Sequence, residues 1–126
     1  MLGLTEVKAM LLATPAVVSS VGTYSSKPAI YGKPVVPQKY SGKAISMYLS
    51  AATNGGLDIL ENTITVNCYG STYNNTITIQ DEVYTALNRE SYESDTFFRC
   101  SKLPVLPASQ TADDYNAPVE VLVRKR

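Results

Sequence analysis

The stretch from Glu61 to Asn88 constrains the fold more than any other part of the chain. Its first segment, Glu61–Tyr69, alternates apolar and polar side chains, which is the pattern of a strand with one buried face. Gly70 and the Asn74-Asn75 pair interrupt the alternation where a turn is expected. The apolar residues that follow have helical spacing: Ile79, Val83, Ala86 and Leu87. The stretch therefore predicts a strand that turns back into an amphipathic helix on its apolar face, with one of the two asparagines as N-cap.

The composition fits one folded domain without a strongly charged partner. A chain of 126 residues is long enough for one core and too short for two ordinary domains, so we predict a single domain over residues 1–126. Eleven Lys and Arg balance eleven Asp and Glu. Because binding to nucleic acid or anionic membranes rests on excess positive charge, we expect neither specific nucleic-acid binding nor membrane binding. The one basic run, Arg124–Arg126, is most simply a solvated tail.

Two cysteines, Cys68 and Cys100, lie far apart within predicted strands. A disulfide-stabilised fold of this length would need more of them, so we expect two buried thiols in a protein made in a reducing cytoplasm. The N-terminus has no basic segment followed by a long apolar run, so no signal peptide is expected. The apolar stretches are far shorter than the roughly 20 residues of a membrane span. The sequence thus predicts a soluble protein made inside the cell.

The N-terminal part predicts two short helices. The first has one apolar face, with Thr5 expected to cap it: Leu4, Val7, Met10 and Leu11. Thr14-Pro15 ends this helix and begins a second one, in which Thr14 is the N-cap. The valines of the second segment are expected to point inward: Val17, Val18 and Val21.

Between Thr23 and Lys43 the pattern weakens, because prolines and glycines exclude a long helix and disfavour a central strand. Broken edge pairing is possible at Ala29–Tyr31 and at Val35-Val36. We predict an extended loop here that stays mobile until a partner binds it.

Alternation returns at Ala44 and predicts further strands. Ala44–Ser50 is joined by a hairpin signal at Asn54-Gly55-Gly56 to the central strand. Thr96–Ser101 and Val119–Arg124 follow the central helix, separated by a proline-punctuated loop. This order predicts an α+β fold, in which a mainly antiparallel sheet of four or five strands has two main helices packed on one face.

The sequence contains no recognisable catalytic constellation. It has no histidine, which removes the commonest general base and the commonest metal ligand. A phosphate-binding glycine loop is also absent. Asp81 and Glu82 are adjacent near a helix start and point in different directions, so they favour the helix dipole rather than acid/base chemistry. Asp113-Asp114 is more simply a solvated turn than a cation site. We therefore expect no enzyme activity, no cofactor and no metal.

Tyrosine is the unusual component of the composition, with nine residues and no tryptophan. A tyrosine ring is apolar with a polar tip, which suits a surface that is wet alone and buried in a complex. Ordinary β-rich composition would explain the same count. The candidate interface residues lie in predicted loops or on an outward strand face: Tyr24, Tyr31, Tyr40, Tyr48 and Tyr115.

Over nearly its whole length the chain resembles the small tail terminator, or tail completion, proteins of long-tailed bacteriophages. The similarity includes the opening helix Leu4–Leu12, the Pro15–Gly22 segment after it and the proline-rich segment before the first full strand. It also includes the strand Thr63–Gly70 before a helix, and the short basic strand Val119–Arg124 at the end. None of these features is a functional motif, so no residue role is carried over.

The resemblance implies a non-enzymatic virion assembly protein, assembled in the host cytoplasm. Its subunits would form a six-membered ring that caps the head-proximal end of the tail tube. The ring would contact the tail tube protein on one side and a head connector or neck protein on the other. A head-completion or neck adaptor is the alternative in the same class. A monomeric ligand-binding α+β module and an enzyme are alternatives from other classes.

Overall fold

Two helices, a group of strands, a third helix and a second group of strands follow one another along the described chain. The structure, a computed structural model, describes residues 3–24, 26–33, 43–54, 60–107 and 115–125. The helices are α1 (Leu4–Leu12), α2 (Pro15–Ser20) and α3 (Tyr73–Leu87). The strands are β1 (Thr23–Tyr24), β2 (Lys27–Pro28), β3 (Ile30–Tyr31), β4 (Ala44–Asn54), β5 (Leu60–Gly70), β6 (Ser91–Tyr92), β7 (Thr96–Lys102), β8 (Leu106–Pro107), β9 (Tyr115–Asn116) and β10 (Val119–Lys125).

The main sheet has the strand order β3-β4-β5-β10-β7-β6. All of these neighbours are antiparallel except β3 and β4, which pair in parallel. The last strand of the chain, β10, lies in the centre of the sheet, where Val121 is opposite Ile64 on one side and Cys100 on the other. The prediction of a mainly antiparallel sheet is confirmed, whereas the predicted number of four or five strands is too low, because β8 and β9 bring the described sheet to eight strands.

All three helices contribute to one core on one face of this sheet. Helix α3 contacts β5, β7 and β10, and it also contacts α1 and α2. The predicted meeting of strand and helix is confirmed, because the apolar side chains of both are completely or almost completely buried in the same cluster: Ile64, Val66, Cys68, Ile79, Val83 and Leu87. The α+β prediction, with helices on one face, is therefore confirmed.

The glycine at the end of β5 allows α3 to begin close to the sheet. A Cβ on Gly70 would lie 2.6 Å from the Oγ1 of Thr76 and 2.9 Å from its backbone nitrogen. The helix then starts at Tyr73 with Thr72 as N-cap, because the Thr72 hydroxyl accepts a hydrogen bond from the Asn75 N–H at 3.1 Å. The prediction of an asparagine cap was wrong by two or three positions, since Asn74 and Asn75 lie inside the first turn.

The start of α1 also differs from the prediction. Thr5 lies inside the helix, and Gly3 precedes it with a φ of 107°, in the region that favours glycine. The Gly3 N–H donates to the Glu6 carboxylate at 2.8 Å. The acidic residue in the first turn, rather than the threonine hydroxyl, therefore satisfies the helix start.

The described part of the Thr23–Lys43 segment is tied to the sheet rather than free. The Gly22 N–H donates to the Lys43 carbonyl at 2.9 Å, and the Ala29 N–H donates to the Gly22 carbonyl at 2.9 Å. The Ile45 N–H donates to the Ala29 carbonyl at 2.8 Å, which places β3 beside β4. The predicted edge pairing at Ala29–Tyr31 is confirmed, because Ile30 and Tyr31 pair with β4 and the side chains of Ala29 and Ile30 are buried. That the segment stays mobile until a partner binds it stays a prediction. Val35-Val36 lies outside the described residues.

The C-terminal basic run belongs to a central strand, so the prediction of a solvated tail was wrong for Arg124 and Lys125. Arg124 donates from Nε and Nη2 to the Glu61 carboxylate at 3.0 and 2.8 Å. The Nζ of Lys125 lies 3.7 Å from the Asp95 carboxylate. The apolar residues that alternate with these charges anchor the strand in the core: Val119, Val121 and Val123.

Both cysteines are free and buried, as predicted. Each lies on the helix-covered face of its strand, Cys68 on β5 and Cys100 on β7. Burial raises the pKa of the Cys100 thiol from 9.0 to about 12, and it raises the pKa of Cys68 further. The thiols are therefore neutral packing groups in the folded protein.

These raised pKa values predict a loss of stability at alkaline pH. The contribution is complete below the unfolded thiol pKa of about 9 and is lost as the pH rises, because the unfolded state releases the protons first. Each thiol should then lower the free energy of unfolding by up to about 1.4 kcal/mol per pH unit. Urea unfolding between pH 8 and 10.5 measures this slope. The Cys68→Ala, Cys100→Ala double variant should show a shallower slope, and identical slopes would contradict the prediction.

Candidate interaction surfaces

The face of the sheet opposite the helices carries the side chains that alternate with the core residues. Near the centre of this outer face, Thr65 lies between Tyr48 on one side and Glu120 on the other. These three side chains are exposed or half-buried. The outer face is therefore a large polar surface over β5 and β10 in the described part of the chain.

One end of the outer face contains a cleft of about 340 Å³, which we call the arginine cleft. It is lined by Arg89, Phe97, Phe98, Arg99, Leu122 and Arg124. The register sets four of these in a two-by-two arrangement, in which Arg99 is opposite Leu122 and Phe97 is opposite Arg124. Basic and apolar side chains therefore occupy alternate corners. The Phe97 ring is 41% exposed in the cleft.

The three arginines of the cleft differ in their partners. Arg124 is bound by the Glu61 carboxylate. Arg89 and Arg99 are exposed, and neither forms an ion pair with another described residue. Arg89 follows α3 with a backbone φ of 63°, and its N–H donates to the Phe98 carbonyl at 3.0 Å. This contact holds Arg89 beside β7 and next to Arg99.

The opposite end of the sheet carries a small hairpin, which we call the arm and define as residues 103–107 and 115–118. It continues β7 and β10 beyond the pair Lys102 and Val119, where their regular pairing ends. Its strand β9 pairs with the last two residues of β5. Leu106 on the arm is 59% exposed. The Tyr115 ring packs edge-to-face against Tyr73, with centroids 6.1 Å apart, and Tyr73 is 55% exposed. The arm therefore presents apolar and aromatic surface to solvent.

A buried glutamine of α3 binds the arm where the arm joins β7 and β10. The Gln80 amide nitrogen donates to the Leu103 carbonyl at 2.8 Å and to the Pro118 carbonyl at 3.0 Å. The Leu103 N–H donates to the same Pro118 carbonyl. One side chain therefore links α3 to both strands of the arm where regular sheet pairing stops.

A corner of the outer face near the arm is polar, and its side chains are largely buried. Ser46 and Asn67 face each other across β4 and β5, and the Asn116 amide donates to the Asn67 side-chain oxygen at 3.1 Å. The Ser46 hydroxyl and the Asn116 side-chain oxygen are buried and have no hydrogen-bond partner among the described residues. This burial distinguishes the corner from the open arginine cleft.

Comparison with solved structures finds the same fold in a chain from the virion of a native gene transfer agent particle. The two chains share 15% sequence identity with a TM-score of 0.67, and the match covers 97% of this chain and 92% of that chain. No protein-family model matches the sequence, and no curated protein matches it. At this identity the likeness establishes the fold.

The described residues contain no group of three or more histidine, cysteine or acidic side chains that could hold a metal ion. None of the three helices is both long enough and apolar enough to span a bilayer. Asp81 forms a surface pair with Lys102 at 2.8 Å instead of joining Glu82 in an acidic site. Asp113-Asp114 lies outside the described residues.

The structure distributes the predicted interface tyrosines over several places. Tyr31 is half-buried on β3 opposite Ser46, and Tyr48 is exposed two residues farther along the same face of β4. Tyr115 is at the other end of the sheet, on the arm. The backbone of Tyr24 pairs with Lys27 in the β1–β2 hairpin, and Tyr40 lies outside the described residues. Their role as interface residues stays a prediction.

Sequence reasoning did not find the arginine cleft or the exposed residues of the arm. Phe97 and Arg99 are two residues apart on one strand, and Leu122 and Arg124 are two residues apart on another. The period of two therefore places each pair on one face of its strand. The cleft forms because β7 and β10 are neighbours and Arg89 approaches from the loop after α3. That adjacency has no signature within any one segment.

Proposed function

We propose that this chain is a structural protein of a phage-like virion that acts as a tail terminator. Its subunits form a six-membered ring at the head-proximal end of the tail tube, stop the addition of tube subunits and present a docking surface to the head. The observation that carries this proposal is the likeness, over 97% of the chain, to a chain of a gene transfer agent virion. The pattern resemblance of the sequence to tail terminator proteins supports the same class.

The two ends of the sheet support a role in joining different partners. The arginine cleft lies at the end where Arg124 is opposite Glu61, and the arm lies at the end where Asn116 is opposite Tyr69. Eight residues of β5 separate these positions, which corresponds to about 26 Å of strand. A basic cleft and an apolar hairpin are chemically different surfaces, so a subunit that carries one at each end suits contact with a different partner at each end.

The proposed mechanism is capping without chemistry. A tube subunit exposes a surface that recruits the next subunit, and a terminator binds that surface while it presents a different one. The tail tube protein and a head connector or neck protein are the proposed partners, and the virion is the proposed location. The absence of histidine is consistent with a protein that works by contact alone.

Ring formation and tube capping can be tested on the purified chain. Native mass spectrometry should find a hexamer, and electron microscopy should find it at one end of tail tubes. Leu106→Ser on the arm should weaken ring formation or capping by about tenfold or more, as expected for an exposed apolar anchor buried in an interface. Leu12→Ser is the matched control, because it removes another exposed leucine, 43% exposed against 59% for Leu106, from α1.

Two outcomes would contradict the terminator proposal, and a third would contradict the role of the arm. A strict monomer at high concentration that binds neither tubes nor heads would favour the ligand-binding module. Binding to portal-bearing heads without binding to tubes would favour the neck adaptor. Equal loss of assembly in Leu12→Ser and Leu106→Ser would exclude the arm as the specific contact.

A further inference from the structure

The arginine cleft combines three features that a bare patch of surface charge lacks. It is concave, with a volume of about 340 Å³, which is at the lower end of the range for ligand pockets. Its two-by-two arrangement places apolar side chains between the cations. Its charge comes from arginine, whose planar fork matches a carboxylate with two parallel hydrogen bonds.

Two of its cations lie side by side. Arg89 is held next to β7 by the hydrogen bond from its N–H to the Phe98 carbonyl, and Arg99 is the next residue on that strand. Both side chains line the same cleft, so their like charges repel each other there. Within the described residues no carboxylate pairs with either of them. An anion that enters the cleft relieves this repulsion, whereas Arg124 already has its carboxylate in Glu61.

The backbone of Arg89 adds an independent observation. Its φ of 63° lies in the left-handed region that helix ends usually fill with glycine. The chain thus has a long cationic side chain at a position where local conformation favours no side chain at all. Arg89 is exposed and lines the cleft, so its guanidinium group can contact an anion there.

We propose that the arginine cleft binds an extended segment of a partner protein in which acidic and apolar side chains alternate along one face, that is, at every second residue. In an extended chain, side chains on one face repeat about every 6.6–6.8 Å. Phe97 and Arg99 have the same spacing along β7, so a carboxylate of the segment can reach Arg99, and Arg89 beside it, while the next side chain on that face lies over Phe97. The apolar side chains of the segment contact Phe97 and Leu122.

The charges of the outer face favour a protein segment over nucleic acid. Glu61 lies opposite Arg124, and Glu120 lies on the same face of β10 as Leu122. A phosphate backbone carries a charge at every nucleotide and extends past the cleft onto these carboxylates, whereas a short segment can keep its few carboxylates beside Arg89 and Arg99. The whole chain also has a formal charge of zero, which does not favour nucleic acid. The proposal goes beyond the ring function and is independent of it, because the cleft is complete within one copy of the chain.

The test uses a blocked pentapeptide, Glu-Ser-Leu-Ser-Glu, as the probe, because its glutamates and leucine lie on one face of an extended chain. Titration of the full chain should shift the backbone amide signals of Arg89, Arg99 and Leu122, and the shifts should diminish as salt is raised. Arg99→Gln should weaken binding by about tenfold, as expected for a charge-assisted contact. Lys102→Gln is the matched control, because it removes one positive charge from the helix-covered face, where Lys102 pairs with Asp81.

A second variant separates binding from folding. Arg89→Gly relieves the left-handed backbone, so its thermal midpoint should equal or exceed that of the wild type while peptide binding weakens by about tenfold. Absence of peptide binding, equal binding of the peptide with glutamine in place of glutamate, or equal weakening by Lys102→Gln would overturn the proposal. Tighter binding of a duplex DNA of similar charge at the same salt would overturn it in favour of a nucleic-acid surface. A monomer that binds the peptide would contradict the ring and leave this site intact.

Discussion

Replacing Leu87 with alanine is expected to lower the free energy of unfolding by about 2–5 kcal/mol. Leu87 is fully buried at the end of α3, in the core cluster that also contains Val83 and Val121. Removing its side chain takes apolar contacts from α3 and leaves a cavity against a sheet that cannot collapse to fill it. Urea unfolding followed by circular dichroism measures the change in the midpoint at constant slope.

Leu106→Ala is the control for this prediction. It removes the same atoms from a leucine that is 59% exposed on the arm, so its effect on unfolding should stay within about 0.5 kcal/mol. If both variants lost the same amount of stability, the assignment of Leu87 to the core face of α3 would be wrong.

Gln80→Leu is expected to lower the free energy of unfolding by about 1–3 kcal/mol and to loosen the arm. The substitution keeps a similar side-chain size but removes the amide that donates to the Leu103 and Pro118 carbonyls. Gln80 is almost completely buried, so water does not readily replace the lost donor. Amide hydrogen exchange should therefore accelerate in the arm more than at Val121 in the centre of the sheet.

Thr78→Leu is the matched control on the same helix. Thr78 is exposed, and its hydroxyl bonds only to the Asn74 carbonyl within α3 among the contacts described. Its replacement should change stability by about 0.5 kcal/mol or less and leave exchange in the arm unchanged. Uniform acceleration of exchange in Gln80→Leu would show that the glutamine supports the whole fold rather than the arm. That result would remove the link between α3 and the proposed interface.

The link matters for the proposed function because the arm pairs with the sheet through few residues. Its strand β9 contacts β5 at Tyr69 and Gly70, and β8 contacts β9 at two positions. The glutamine therefore orients an apolar surface that would otherwise depend on short pairings alone. A ring contact requires such a surface to be ordered before assembly, because ordering it on binding lowers the affinity.

Local pattern was sufficient to predict most individual elements. Period-two alternation located β4, β5, β7 and β10, because in each the side chains facing the core differ in polarity from those facing solvent. Helical spacing located α3 and its buried face for the same reason. The helix caps were less predictable, since Thr72 and Glu6 compete with other capping residues one to three positions away.

Some polar residues could not be interpreted from the sequence. Gln80 is a polar residue on the buried side of α3, where regular pairing of β7 and β10 ends and the Leu103 and Pro118 carbonyls accept from its amide. Arg124 belongs to a basic run that would suit a tail, yet it lies in a strand and pairs with Glu61. Each of these roles depends on a partner more than 20 residues away in the chain.

The sequence by itself determined where the three helices and the four long strands lie, most of the side chains that enter the core and that both thiols are buried, because these properties depend on the periodicity of neighbouring residues. The tertiary structure alone decided that β10 lies between β5 and β7, which brings Arg99 and Leu122 together. It also decided that the arginine cleft and the arm lie at opposite ends of one sheet. The physical reason is that strand order is set by packing and pairing over the whole chain, and a strand's pattern is the same whichever neighbour it has.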